Sequence, residues 1–112
     1  MATRPTSGMV KEALFSIIAP KVGDSKVLDL FAGSGGLGIE ALSRGAAWAV
    51  FIDRNPRCCS IIKENLAHTK LLDFAEVYAI DYSDAIRKMR REQRKFDIII
   101  MDPPYNKNFV QE

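Results

Sequence analysis

Blocks of apolar residues alternate along the chain with segments in which apolar residues recur at helical spacing. The short apolar runs predict four strands, and the periodic segments predict the helices between them. The predicted strands span 26–31, 46–52, 75–80 and 96–101, and the predicted helices span 6–19, 39–44, 55–68 and a last one from Ser83 or Asp84 to 93. Strands that alternate with helices indicate a parallel sheet with helices packed on it. The first and fourth strands are almost entirely apolar, which predicts that both of their faces are covered.

An aspartate stands at or near the end of each predicted strand: Asp29, Asp53, Asp81 and Asp102. Because ligands of open parallel sheets bind outside the carboxyl ends of the strands, we expect these four side chains to converge on a binding site. Any one of them could instead be an ordinary loop or cap residue. Together, and beside a glycine-rich turn, they favour a ligand site.

The glycine-rich turn carries Gly33, Gly35 and Gly38 between the first strand and its helix, in the spacing of a nucleotide-binding loop. Asp53, about twenty residues after the turn, is placed to accept hydrogen bonds from ribose hydroxyls. Both features suit either a nicotinamide dinucleotide or S-adenosylmethionine. Asp29 favours S-adenosylmethionine, because its carboxylate complements the cationic amino-acid end of that molecule but would repel a pyrophosphate. Asp81 is expected to face the adenine amino group, with Tyr82 nearby, although it could simply cap the following helix.

The tetrapeptide Asp102-Pro103-Pro104-Tyr105 follows the fourth strand. Two prolines end the strand and stiffen the turn, so a carboxylate and an aromatic ring are held at the sheet edge. The Asp102 carboxylate and the Pro103 carbonyl can orient an exocyclic amine of a nucleobase, and Tyr105 can stack on an unpaired or flipped base. The tetrapeptide therefore predicts methyl transfer to an amino nitrogen, which is catalysed mainly by positioning. A purely structural strand-ending turn is the alternative interpretation.

Composition narrows the class of protein. The chain has 112 residues, is 47% hydrophobic and 27% charged, and carries a net charge of +2, so one ordered domain over 1–112 is expected, with a helix over 6–19 and a core over 26–112. No apolar run is long enough for a membrane span, and the start of the chain does not resemble a signal peptide. The adjacent Cys58 and Cys59, with His68 as the one histidine, favour a reduced cytoplasmic protein without a metal site or a disulfide framework.

A basic run from Arg87 to Lys95 contains six basic residues and one acid. An RNA contact is one interpretation. Cations at the end of a helix are also favoured by its dipole, and this helix end is predicted to lie at the edge of the sheet opposite the strand carboxyl ends. The sequence therefore favours a solvated helix end.

The motifs together resemble the RsmD-like family of bacterial 16S rRNA guanine-N2 methyltransferases. The resemblance rests on residues 27–35 and 38–46, on Arg4-Pro5-Thr6 followed by residues 10–15, and on Phe96-Asp97-Ile98-Ile99 leading into the tetrapeptide. It implies a Rossmann-like class I methyltransferase fold that uses S-adenosylmethionine and releases S-adenosylhomocysteine, with 16S rRNA or the small ribosomal subunit particle as partner. It also implies three further strands after the tetrapeptide, so we expect the chain to be truncated. We also expect a monomer.

The expected site residues fall into three groups. Catalysis is expected from Asp102, Pro103, Pro104 and Tyr105, and substrate binding from Arg4, Thr6 and Tyr105. The cofactor is expected to contact Asp29, Phe31, Ala32, Gly33, Ser34, Gly35, Asp53, Arg54, Asp81 and Tyr82. Three alternatives stay open: methylation of DNA adenine N6 or of a protein glutamine, a nicotinamide-binding oxidoreductase domain, and a fragment that binds the cofactor without catalysis.

Overall fold

The computed structural model describes residues 22–101 of the chain. The helix predicted over 6–19, the expected substrate-binding residues Arg4 and Thr6, and the tetrapeptide Asp102 to Tyr105 lie outside the described residues. The elements are β1 (Lys26–Asp29), α1 (Gly36–Ser43), β2 (Trp48–Ile52), α2 (Pro56–His68), a short 3-10 helix (Leu72–Phe74), β3 (Ala75–Tyr78), α3 (Tyr82–Arg91) and β4 (Ile98–Ile100).

All four strands pair in parallel, in the order β3-β2-β1-β4. The parallel sheet flanked by helices that the sequence predicts is therefore confirmed for this part of the chain. β1 lies in the middle, and Asp29 at its end is in register with Phe51 of β2 and with Ile100 of β4. We call the edge where the strands end the carboxyl edge, and the edge where they begin the amino edge.

The core forms one layer on each face of the sheet. On one face α1 and α2 pack on alternate residues of β1 and β2, including Val27, Ala49 and Phe51. On the other face Ala85 and Met89 of α3 pack on Leu28 and Val50, among others. Because successive side chains of a strand point to opposite faces, the unbroken apolar sequence of β1 and β2 supplies both layers.

The prediction that both faces of the fourth strand are covered is wrong for the described residues. Ile99 is 56% exposed and Met101 is 58% exposed, while Ile98 and Ile100 pack against the layer formed by α1 and α2. The reason is that α3 packs over β1 and β2 and does not extend across β4, which is an outermost strand of the described sheet.

Two helices begin earlier than the sequence predicts. α1 begins at Gly36 rather than at Ile39, because Gly35 adopts a left-handed conformation (φ +86°) at the position before the first turn and the glycine turn runs directly into the helix. α3 begins at Tyr82, and its cap is Asp81 rather than Ser83 or Asp84. The predicted start of α2 is confirmed, with Asn55 as cap, its side chain accepting from the Arg57 amide, and Pro56 in the first turn.

Candidate functional site

The turn after β1 is fixed by hydrogen bonds from its neighbours in the sheet. The Leu30 amide donates to the Ile100 carbonyl (3.0 Å), and the Ala32 amide donates to the Ile52 carbonyl (2.9 Å). The Gly35 amide then donates back to the Ala32 carbonyl at 2.7 Å, which closes the turn. The glycine turn, residues 33–38, is thus fastened between the ends of β2 and β4.

Gly33 is the point at which a ligand can approach the backbone. Its φ of +60° lies in the left-handed region, and a Cβ added to it would meet no atom within 4 Å. The space beside Gly33 is therefore open, as a loop that binds a nucleoside requires.

Asp53 joins the end of β2 to this turn. One carboxylate oxygen accepts from the Gly33 amide and the other accepts from the Asn55 amide, each at 2.9 Å. Asp53 therefore lies beside the glycine turn. Its expected contact with ribose hydroxyls stays a prediction, and each oxygen keeps a second lone pair for such a contact.

Asp29 lies at the end of β1 with only 2% of its surface exposed. A buried carboxylate at this position is unusual, since aspartate is seldom fully buried unless it has partners. Its position at the end of β1 places a buried carboxyl group just before the glycine turn, where the sequence predicts the cationic end of the ligand.

Asp81 lies at the carboxyl edge and also caps α3. Its carboxylate accepts from the Ser83 amide at 3.0 Å and from the Ser83 hydroxyl at 2.6 Å. These bonds lower the pKa of Asp81, and the charge of Arg54 lowers it further. The interpretation that Asp81 caps the helix is therefore confirmed. Arg54, which follows β2, lies close enough to lower the pKa of Asp81, which follows β3. The expected contact of Asp81 with adenine remains a prediction.

An aromatic pair joins the end of β1 to the start of α3. The ring centroids of Phe31 and Tyr82 lie 5.2 Å apart with a tilt of 41°. Tyr82 is 40% exposed, so an apolar and partly accessible surface adjoins the acids at the carboxyl edge. The structure thus brings the ten expected cofactor residues to one edge: Asp29, Phe31, Ala32, Gly33, Ser34, Gly35, Asp53, Arg54, Asp81 and Tyr82.

Asn65 is a residue that the sequence analysis missed. Its side-chain amide donates to the Ser34 carbonyl at 3.1 Å, from the third turn of α2. A polar residue on a helix face that otherwise carries Ile62 and Leu66 was the available signal. The contact itself joins residues 31 positions apart, which no local pattern reveals.

The two cysteines lie on the first turn of α2, beside Asp53. The Cys59 thiol contacts the Asp53 carbonyl at 3.3 Å, and both cysteines are free. Burial and the charge of Asp53 raise the pKa of both thiols, so they stay protonated near neutral pH. Within residues 22–101, no group of three or more histidine, cysteine, aspartate or glutamate side chains could hold a metal ion.

A second polar cluster is centred on Glu76 of β3. The Glu76 carboxylate accepts from the Trp48 indole at 2.5 Å, from the Tyr78 hydroxyl at 2.5 Å, and from both terminal nitrogens of Arg94 at 2.9 and 2.7 Å. These bonds, led by those of Arg94, lower the Glu76 pKa from 4.5 to about 2. We call these four residues the Glu76 cluster; three of them line a cavity of about 620 Å³ that contains none of the expected cofactor residues.

The end of the basic run, at Arg94 and Lys95, lies beside Lys26 and Trp48 at the amino edge, as predicted, and part of the charge of the run is neutralised. Arg87 pairs with Asp84, Lys88 with Glu92 at 2.8 Å, and Arg94 with Glu76 at 2.7 Å. Three of its six cations thus have acidic partners, which agrees with a solvated helix end. No helix in the described part of the chain is long and apolar enough to cross a membrane.

Comparison with known proteins gives matches over the whole chain. The model of the family described as "Conserved hypothetical protein 95" matches residues 1–112. The "Putative rRNA methyltransferase YlbH" of Bacillus subtilis is 44% identical over 104 residues, covering 93% of this chain and 56% of that protein. The "Ribosomal RNA small subunit methyltransferase D" of Escherichia coli K12 is 37% identical over 109 residues, covering 97% of this chain and 53% of that protein.

Solved structures share the fold. The structure titled "Putative methyltransferase yhhF from Escherichia coli" superposes with a TM-score of 0.75 and 34% identity, covering 96% of this chain and 57% of that one. The Rossmann-like class I methyltransferase fold that was expected is therefore confirmed. The chain spans about half the length of the curated relatives it matches.

Proposed function

The chain belongs to the RsmD-like methyltransferase family, whose model is described as conserved hypothetical protein 95, and from this premise we propose that it transfers a methyl group from S-adenosylmethionine to the exocyclic N2 of a guanine in 16S rRNA. The proposal rests mainly on one observation. The glycine turn lies at the same edge of the sheet as three strand-end carboxylates, and the Gly33 amide donates a hydrogen bond to one of them, Asp53. The proposal concerns the activity of the whole protein. It is supported by relatives that are named as rRNA methyltransferases.

The residues at the carboxyl edge fit S-adenosylmethionine better than a dinucleotide. Its ribose and adenine present hydrogen-bond donors, and its amino-acid end carries a positive amine, so carboxylates at Asp29, Asp53 and Asp81 complement it. Asp29, just before the glycine turn, would repel a pyrophosphate, whereas Asp53 by itself would suit either ligand. The open space at Gly33 leaves room for the ligand against the backbone. When bound, S-adenosylmethionine supplies a methyl group activated by its attachment to a positively charged sulfur.

The acceptor side of the proposed site is the tetrapeptide Asp102 to Tyr105. It is connected to β4 two residues after Ile100, whose carbonyl accepts from Leu30 just before the glycine turn. We assign Asp102 and the Pro103 carbonyl to hold the guanine amine as hydrogen-bond acceptors, and Tyr105 to stack on the base. These acceptors would direct the lone pair of the amine toward the methyl group that the bound cofactor would supply, and the proton that the amine loses would pass to water. Arg4 and Thr6 are assigned to substrate RNA.

The proposed partner is 16S rRNA or the small ribosomal subunit particle, reached in the cytoplasm by a monomer. We assign no metal to the reaction, because positioning and charge complementarity supply the catalysis that methyl transfer to an amine needs.

The test uses labelled S-adenosylmethionine with small ribosomal subunits that lack N2-methylguanosine, with free 16S rRNA, DNA and protein in parallel. We expect label in the ribosomal RNA, recovered as N2-methylguanosine after digestion. Asp102→Ala should abolish incorporation, whereas Asp73→Ala, in the exposed 3-10 helix, should not. Label in DNA adenine or protein glutamine, binding of NAD but not of S-adenosylhomocysteine, or cofactor binding without any transfer would each contradict the proposal for this chain and favour one of the three alternatives.

A further inference from the structure

The glycine turn is held from outside by α2 at two adjacent residues. The Asn65 amide donates to the Ser34 carbonyl at 3.1 Å. One turn earlier on the same helix, the buried Ile62 packs on Gly35, where an added Cβ would come within 3.2 Å of its side chain. A polar and an apolar side chain of α2 therefore meet the turn side by side.

The peptide group between Ser34 and Gly35 is fixed at both ends. Its carbonyl accepts from Asn65, and its N–H donates to the Ala32 carbonyl at 2.7 Å. Because a peptide group is planar, holding the oxygen and the hydrogen fixes the orientation of the whole group. Gly35 has the freedom to let this peptide rotate, since glycine populates both positive and negative φ. Asn65 is the side chain that opposes this rotation from the carbonyl end.

We propose that Asn65 is a positioning residue for cofactor binding, which acts through the Ser34 carbonyl to keep the glycine turn in its binding conformation. The inference rests on the proposed function, since it concerns the same turn. Asp53 holds the turn at the Gly33 amide and Asn65 holds it at the Ser34 carbonyl, so the two side chains fix the peptide groups on either side of the Gly33–Ser34 peptide, one from the end of β2 and one from α2. A turn that is already ordered loses less conformational entropy when a ligand binds.

The first experiment measures S-adenosylhomocysteine affinity by calorimetry for the native chain, Asn65→Ala and the control Glu64→Ala, which changes the exposed neighbour on the same helix. We expect about three- to tenfold weaker binding for Asn65→Ala, the size of one lost hydrogen bond, and native affinity for the control. The free energy of unfolding should not fall in parallel, because alanine has a higher helix propensity than asparagine. A purely structural role would instead move stability and affinity together.

The second experiment uses Asn65→Asp, which keeps the shape of the side chain. An ionised carboxylate only accepts hydrogen bonds, so at pH 8 it faces the Ser34 carbonyl without a donor. We expect this variant to bind more weakly than Asn65→Ala at pH 8, and the deficit relative to the native chain to shrink as the pH falls toward 4, where about half of the carboxyl groups are protonated. Hydrogen exchange of the Gly35 amide, measured without ligand, should be faster in both variants than in the native chain.

The two proposals fail in different ways. If the native chain binds no S-adenosylhomocysteine, the proposed function is overturned, and the Gly35 exchange rate still tests the role of Asn65. If the native chain binds but both Asn65 variants bind equally well, or if Gly35 exchange is unchanged, Asn65 does not position the turn.

Discussion

The carboxylate of Asp53 accepts a hydrogen bond from the backbone amide of Gly33 across 2.9 Å, although the two residues are 20 positions apart. Its other oxygen accepts from Asn55, the residue that caps α2. One side chain therefore connects the glycine turn, the end of β2 and the start of a helix. Loss of Asp53 is expected to affect both the turn and any ligand bound to it.

For Asp53→Ala we expect at least about tenfold weaker binding of S-adenosylhomocysteine, because hydrogen bonds to a charged group contribute roughly 1.5–3 kcal/mol each. Calorimetric titration measures the change. Asp73→Ala is the matched control, since it removes an exposed carboxylate far from the turn in sequence. Unchanged affinity of Asp53→Ala would remove Asp53 from the proposed cofactor site.

The two roles of Asp81 can be separated by Asp81→Ser. Serine is also a favoured helix cap, so this variant should keep the free energy of unfolding within about 0.5 kcal/mol of the native chain. It lacks the carboxylate proposed to meet the adenine amino group, so S-adenosylhomocysteine should bind several-fold more weakly. Ser83→Ala, which removes only the hydroxyl bonded to Asp81, should leave the affinity unchanged. Native affinity in Asp81→Ser would leave Asp81 with its capping role alone.

The first helix, α1, packs tightly on β2 at one of its glycines. A Cβ added to Gly38 would lie within 2.7 Å of two atoms of the Phe51 ring. Gly38→Ala is therefore expected to lower the free energy of unfolding by about 1–3 kcal/mol, the usual effect of overpacking a core. Gly36→Ala is the control, since its Cβ would meet only the Ser34 hydroxyl at 3.9 Å. Urea denaturation measures both; equal stability of the two variants would contradict the tight contact.

The Glu76 cluster predicts a pH-dependent stability. The Glu76 pKa is lowered from 4.5 to about 2, mainly by the hydrogen bonds from Arg94. The ionised form is therefore favoured in the folded chain, and its contribution is complete above pH 4.5 and lost as the pH falls toward 2. Glu76→Gln should lower the free energy of unfolding by about 2 kcal/mol at pH 7, and the difference from the native chain should vanish near pH 2.

The control for that prediction is Glu64→Gln, which changes an exposed glutamate on α2. Its unfolding free energy should stay close to that of the native chain at every pH. A constant difference between Glu76→Gln and the native chain from pH 7 to pH 2 would show that packing, rather than ionisation, holds the cluster together.

The sequence predicts the parts of the site that depend on strand ends. Asp29, Asp53 and Asp81 each follow an apolar run, and parallel pairing necessarily brings such ends to one edge of the sheet. The prediction therefore needed only local patterns and one topological rule. The start of α1 at Gly36 was not predicted, because glycines usually disfavour a helix. Gly35, with its positive φ, ends the turn and allows the helix to begin at the next residue.

Contacts between distant elements could not be read from the sequence. The bond from Asn65 to Ser34 depends on how α2 lies beside the glycine turn, and the exposure of Ile99 depends on how far α3 extends over the sheet. Both follow from packing geometry rather than from residue pattern. The apolar character of β4 suggested coverage on both faces, and the position of the strand at an edge of the described sheet overrode that expectation.

The Glu76 cluster joins β3 to Trp48 at the start of β2 and to Arg94 in the segment before β4, whereas the glycine turn follows β1. None of the four residues of the cluster is among the residues that we expect to contact the cofactor. Stability and ligand choice are therefore assigned to different residues of the same small sheet. A lineage can change what it binds at the carboxyl edge while the Glu76 cluster preserves the fold, and an engineer can reinforce the cluster without altering the binding surface.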